Sequence, residues 1–160
     1  VPNLGVAGSN PVRGVFINTY KLYCNNYFMK KRAVIGVINY NNKILVGKKN
    51  SNSKKFLAGK WHIPGENVEA NESNEQALIR GIKEEAGIEI MVGRYLGSSI
   101  TTTGKEASWY ECFSNTNNVK AGSDLEDIKW VLKEEILNFL GQQSINFWPK
   151  QIQDYFLKKQ

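Results

Sequence analysis

The amino-acid sequence predicts an α/β protein, a three-layer fold in which helices cover a mixed β-sheet. Helical and strand-like stretches are mixed along the chain without regular β-α alternation, which argues for a mixed sheet rather than a purely parallel one. Ala33 to Tyr40, AVIGVINY, is β-branched and almost continuously apolar, as a central strand buried on both faces requires. Ser73 to Gly87 carries a helical apolar period with a start and a stop signal of its own.

In chain order, Lys43 to Lys49 follows the first strand across Asn41-Asn42, a pair that tolerates positive φ and so predicts a hairpin. Asn50 to Lys55 is a polar loop, and Trp61 to Ile63 reads as a short strand leading to a turn at Gly65. Ser73 is the expected helix cap, Gln76 completes a capping box, and Gly87 suits the left-handed position that closes a helix. Ile88 to Val92 and Arg94 to Ile100 read as strand with a bulge at Gly93 or Gly97. Ala107 to Ser114 is the next strand, Val119-Lys120 adds a few paired residues, and Asp124 to Leu132, DLEDIKWVL, follows. Lys133 to Leu140 and Phe147 to Lys158 read as helices, the second docking Ile152, Phe156 and Trp148 on the sheet.

Residues 1–28 read differently. They lack any acidic residue and are interrupted by Pro2, Gly5, Gly8, Pro11 and Gly14. The expectation is an N-terminal extension, outside the native domain as a tail or an upstream-extended reading frame, with one domain over 29–160. No apolar run approaches the roughly 18 residues of a membrane span, and the extension lacks the pattern of a secretory signal. The net charge of +6 is scattered, so a nucleic-acid-binding role has little support beyond basic charge. Cys24 and Cys112 show no CxxC spacing and no histidine cluster, which argues against a zinc site and fits a reducing cytoplasm. His62 is the sole histidine, and no serine near it forms a nucleophile elbow, so covalent catalysis is disfavoured.

The chemistry concentrates between Gly65 and Ile90, GENVEANESNEQALIRGIKEEAGIEI. At about 100° per residue from Arg80, Glu84 lies at about 40°, position 81 at about 100° and Glu85 at about 140°, beside a core-facing flank of Leu78, Ile82 and Ala86. Two carboxylates one residue apart suit a hard divalent cation.

This segment resembles the signature box of the Nudix hydrolases, G-x5-E-x7-R-E-U-x-E-E-x-G-U, with U a bulky apolar residue. Glu72, Arg80, Ile82, Glu84, Glu85, Gly87 and Ile88 fall in register, and the approach KFLAGKWHIPG resembles MutT-like members. The resemblance implies the Nudix fold, an α/β/α sandwich with a mixed β-sheet. It implies a Mg²⁺- or Mn²⁺-dependent hydrolase that cleaves a diphosphate linkage in a nucleoside di- or triphosphate derivative. Glu84 and Glu85 match metal-ligand positions, and the carbonyl of Gly65 matches a backbone ligand. Glu72 and Arg80 match a brace that holds those ligands in place. Many members pair, which leaves a homodimer open.

Two positions depart from the box. Glu66 stands where the first glycine belongs, and Gly81 stands where the glutamate after the arginine belongs. The missing carboxylate would have been central to the metal face. Three explanations stand side by side: another acid completes the site, hydrolysis is slow, or the domain binds nucleotide without turnover. Candidate acids are Glu66, Glu69, Glu111, Asp124, Glu126 and Asp127. Trp61, Trp109, Tyr110 and Trp130 read as core or rim aromatics, any of which could sandwich a nucleobase.

Overall fold

The short loop Asn41-Asn42 sets the architecture. Both residues sit at positive φ, 45° and 58°, and turn β1 (Arg32–Tyr40) into β2 (Lys43–Lys49). This computed structural model describes residues 31–158; the expectation for residues 1–28 lies outside the described residues. The two strands pair only at Asn39↔Ile44 and Tyr40↔Lys43 and then part. The returning chain enters between them. β3 (Trp61–His62) pairs with β2, and β4 (Gly65–Asn67) pairs with β1.

Around this split the sheet reaches seven strands. Its order is β3-β2-β1-β6-β5, with β4 on β1 and β7 on β2, where β5 is Met91–Ile100, β6 Glu106–Phe113 and β7 Leu125–Leu132. β1 runs parallel to β6 and every other pair is antiparallel, so the sheet is mixed as predicted. β5 slips register between Val92 and Tyr95 and again before Gly97, the irregularity expected from its glycines.

Alternation along β1 divides the core between two faces. Val34 and Ile38, with Leu45 and Cys112, meet Ala77, Leu78, Ile82 and Ala86 of α1 (Asn74–Ala86). Val37, with Ile44, Val46 and Trp109, meets Ile136 and Leu140 of α2 (Ile136–Leu140), Ile145 of α3 (Gln142–Ile145), and Ile152 and Phe156 of α4 (Lys150–Leu157). Helices therefore lie on both sides of the sheet, giving three layers. Leu78 and Ile82 are fully buried, each such burial contributing about 1.5–3 kcal/mol. Among the described residues no helix is long and apolar enough to cross a membrane.

α1 is specified locally at both ends. The Ser73 side chain accepts from the Gln76 N–H while the Gln76 side chain accepts from the Ser73 N–H, and Gly87 closes the helix at φ 70°. The C-terminal third departs from the sequence expectation. Lys133–Glu135 is a 3-10 turn before α2. The last helix starts at Lys150, because Trp148 precedes Pro149 and the residue before proline is pushed out of the α region. Val119-Lys120 adds no strand; the Lys120 N–H caps the end of α1 at the Ala86 carbonyl, 3.0–3.1 Å being the range of this and the neighbouring Gly122 N–H to Glu85 carbonyl bond.

Candidate metal and phosphate site

The turn from β3 to α1 passes directly beneath the helix. Buried Pro64 accepts a hydrogen bond from the Gly36 N–H at 3.0 Å. At Gly65 the backbone lies so close to β1 that a Cβ would meet the Val34 carbonyl oxygen at 2.5 Å. That approach is open only to glycine. It holds the Gly65 backbone against β1 and sends Glu66 and Asn67 along the edge of that strand, Glu66 opposite Val34 on the side that α1 covers.

Arg80 ties this segment to the helix. Its Nη2 donates to Glu72 Oε1 at 2.8 Å and its Nε to Glu72 Oε2 at 3.3 Å, a two-pronged contact, and Nη2 also donates to the Asn67 carbonyl at 3.1 Å. Glu69, Glu84 and Glu66 carboxylates surround the same guanidinium at 3.8, 3.6 and 4.0 Å. Glu72 is held below the usual carboxylate range by its bonds from Arg80 and from the Glu69 N–H.

Glu85 has a different environment from its neighbour. Glu84 is exposed at its tip, whereas Glu85 is only 4 % exposed and its Oε2 has no hydrogen-bond partner. The helical wheel put both carboxylates on one open flank; the structure separates them, because the loop before β7 folds over Glu85. Burial, then the charges of Asp124 and Glu66, push the Glu85 carboxyl up to about 8, against the opposing pull of Lys49 and Lys55. Asp124 is itself taken by those lysines, at 2.6 Å from Lys49 Nζ and 3.1 Å from Lys55 Nζ. Although burial opposes its charge, they hold its pKa below the ordinary value.

Gly81 does not face open space between Glu84 and Glu85. It is buried against β4, and a Cβ there would stand 2.5 Å from Glu66 Cβ and 2.9 Å from Glu66 Cγ.

Of the six candidate acids outside the helix, Glu66 and Asp124 are the two whose charges act on Glu85. Glu69 leans on Arg80. Glu111 accepts from the Tyr155 hydroxyl and from Arg94, both at 2.7 Å, and is committed on the opposite helical layer. Glu126 accepts from the backbone N–H and hydroxyl of Ser51 and pairs with Lys48, which pins the loop after β2. Asp127 caps its own neighbour, the Ile128 N–H. Among the described residues no three His, Cys, Asp or Glu side chains stand close enough together to hold an ion. Arg80 engages Glu66, Glu69, Glu72 and Glu84, and Lys49 and Lys55 engage Asp124. The donor set still fits a hard cation: oxygen ligands only, with one buried carboxylate oxygen left unsatisfied.

On the other side of β1, Ile35, whose backbone pairs with Gly65, lines a cavity of about 160 Å³ with Trp109, Ile100, Phe56, Phe147 and Trp148. Phe56 and Phe147 are more than half exposed and meet edge to face at 5.6 Å. His62 lines this cavity and also senses Lys49 and Asp124; burial lowers its pKa and keeps the ring neutral. Of the aromatics chosen from sequence as core or rim residues, Trp109 lines this cavity and the other three pack elsewhere. Trp109 donates to the Ser99 hydroxyl, Trp61 packs on Phe139, Tyr110 accepts from Asn74, and Trp130 stacks near Tyr40. Phe56 lies in a stretch with no periodic pattern, and Phe147, read from sequence as the start of the last helix, precedes that helix and stands exposed at the rim.

The family model of the NUDIX domain matches residues 29–151. A CTP pyrophosphohydrolase of Escherichia coli K12 is 42% identical over 66 residues, which cover 41% of this chain and 47% of that protein, so the match spans about half its length. A nucleoside triphosphatase, NudI, of Escherichia coli K12 is 23% identical over 125 residues, covering 69% of this chain and 89% of its own. The crystal structure of a MutT protein from Methanosarcina mazei Go1 superposes with a TM-score of 0.61 at 25% identity, over 79% of this chain and 90% of that one. With its three layers, its mixed sheet and the box turn beneath α1, this chain belongs to the Nudix family.

Proposed function

We propose that this chain is a divalent-metal-dependent hydrolase that cleaves a diphosphate linkage in a nucleoside di- or triphosphate derivative. The observation that carries the reading is Glu85, a carboxylate buried to 4 % exposure with one oxygen unsatisfied, beside two further acids. Such a group is costly to keep inside a fold unless a cation completes it. Glu84, Glu85 and the Gly65 carbonyl would hold Mg²⁺ or Mn²⁺. When bound, that ion neutralises phosphate oxygens and lowers the pKa of water.

The protein's own groups do the rest. Arg80 and Glu72 hold the Gly65 turn against α1, so that carbonyl and carboxylates keep a fixed spacing. Lys49 and Lys55, which pair with Asp124, would neutralise phosphate oxygens. Water adds to phosphorus as the bridging P–O bond breaks, and the proton of the water passes to a carboxylate. The apolar cavity beyond Ile35, with Phe56 and Phe147 at its rim, suits the flat face of a nucleobase, and neutral His62 offers it a ring nitrogen. A nucleoside triphosphate is favoured as substrate by the MutT-like approach to the box and by the names of the relatives, a CTP pyrophosphohydrolase and a nucleoside triphosphatase.

The competing reading is a binding domain without turnover, and Gly81 is the residue that favours it. Incubation with Mg²⁺ or Mn²⁺ and a nucleotide panel, with phosphate and nucleotide products measured, separates the two. Turnover by the parent, lost in Glu85→Gln, is the expected outcome. A parent that binds nucleotide and releases no product overturns the hydrolase reading.

A further inference from the structure

Two departures from the Nudix box lie far apart in sequence and touch in space. Glu66 of β4 pairs with Val34 of β1, and residues directly opposite in an antiparallel pair share a face. Val34 packs against Ala77, Leu78 and Ile82, so Glu66 rises from the sheet toward α1. There it meets Gly81. A Cβ at position 81 would stand 2.5 Å from Glu66 Cβ, 2.9 Å from Cγ and 3.6 Å from Oε2. The first of these contacts is rooted in two backbones, so no rotamer of Glu66 relieves it. The glutamate side chain lies across the space where a side chain at position 81 would begin, and its carboxylate ends there.

Glycine inside a helix costs about 1 kcal/mol relative to alanine. At position 81 that cost admits a carboxylate from the neighbouring strand. Glu66 is also oriented. Its Oε1 accepts the Asn67 N–H at 2.6 Å, and its Oε2 lies 4.0 Å from Arg80 Nη1, so the acid is not spent on a tight ion pair. On the same helix face Glu85 is buried with an oxygen that nothing satisfies.

We propose that Glu66 supplies from β4 the carboxylate that α1 lacks at position 81, so that the divalent cation of this chain is held by Glu66 together with Glu85. The inference rests on the metal-dependent reading above and adds to it a ligand that the family's box does not contain. The two departures are one exchange: the acid has moved from helix to strand, and the glycine from strand to helix. The metal site is therefore complete rather than lapsed.

Mn²⁺ binding, followed by the electron paramagnetic resonance signal of the free ion, tests this without relying on turnover. The parent is compared with Glu66→Gln, Glu85→Gln, the surface control Glu75→Gln, and Glu66→Gly combined with Gly81→Glu. Glu66→Gln is expected to weaken Mn²⁺ binding about 10–100-fold while its metal-free unfolding midpoint stays at the parent value. The double exchange is expected to restore binding, since it returns the acid to the helix and removes the collision. Gly81→Glu alone is expected to fold poorly or bind worse than the parent. If Glu66→Gln binds Mn²⁺ as the parent does while Glu85→Gln does not, the Glu66 assignment is overturned and the hydrolase reading stands. Tighter binding by Gly81→Glu with Glu66 in place also overturns it. A parent that binds no Mn²⁺ removes both.

Discussion

Gly122 sits so close to the end of α1 that a Cβ on it would lie 2.5 Å from the carbonyl oxygen of Glu84. Its N–H donates to the Glu85 carbonyl at 3.0 Å, and two residues later Asp124 brings its charge to bear on the Glu85 side chain. The loop before β7 is thus fastened to the helix that carries the acids. Replacing Gly122 by alanine forces backbone away from backbone. The expected loss is about 1–3 kcal/mol, read as a lower urea midpoint with unchanged slope, together with reduced turnover as Asp124 is displaced. A variant as stable as the parent would show that the loop shifts freely.

The Arg80 fork is the second target. Lysine keeps the charge but cannot reach both Glu72 oxygens and the Asn67 carbonyl at once. Arg80→Lys is expected to lower metal affinity about 10-fold or more, with nucleotide affinity in the absence of metal unchanged. Equal metal affinity in parent and variant would reduce Arg80 to a surface ion pair.

Glu85 predicts a pH dependence that disappears with its charge. In chelator, its folded-state carboxyl titrates at about 8, above the value of about 4.3 for free glutamate. Between these limits the folded chain binds more protons than the unfolded one. The stability of this group is thus complete below about pH 4.3 and drains away as pH rises toward 8. Burial is the main cause, Asp124 and Glu66 add to it, and Lys49 and Lys55 oppose it. Urea unfolding near pH 5 and pH 8 should show the parent losing a few kcal/mol more than Glu85→Gln across this window. Parallel pH profiles would place the charge elsewhere. Added Mn²⁺ should flatten the profile of the parent.

The cavity rim gives a kinetic test. Phe147→Ala removes one of the two exposed rings that meet at 5.6 Å. It should raise KM for the nucleotide while leaving kcat close to the parent value, since the ring lies on the opposite side of β1 from the helix that carries Glu85. A fall in kcat at constant KM would place the nucleobase elsewhere.

What the sequence disclosed was local. Asn41-Asn42, the Ser73–Gln76 box and Gly87 act on neighbours within four residues, and each stands as its chemistry predicts. The run of Ala33 to Tyr40 disclosed a central strand because both of its faces are covered. The relation of Glu66 to Gly81 was hidden, since it depends on β4 entering beneath α1, a consequence of β1 and β2 parting after two paired residues. A helical wheel places position 81 by angle alone and is blind to what the next layer sends toward it. Asp124 was one of six acids of equal standing until Gly122 brought its loop to the helix. The start of the last helix was misjudged by three residues, where the apolar pattern ran through Phe147 and Trp148 but Pro149 forbade their helical turn.

The contact between Glu66 and Gly81 also orders the substitutions that could connect this chain with an ordinary box. Side chains at both positions collide, so a glutamate at 66 can appear only after position 81 has become glycine. Every single-step path crosses a sequence with glycine at both places, one acid short. The arrival of a side chain at either site is thereby conditional on glycine at the other.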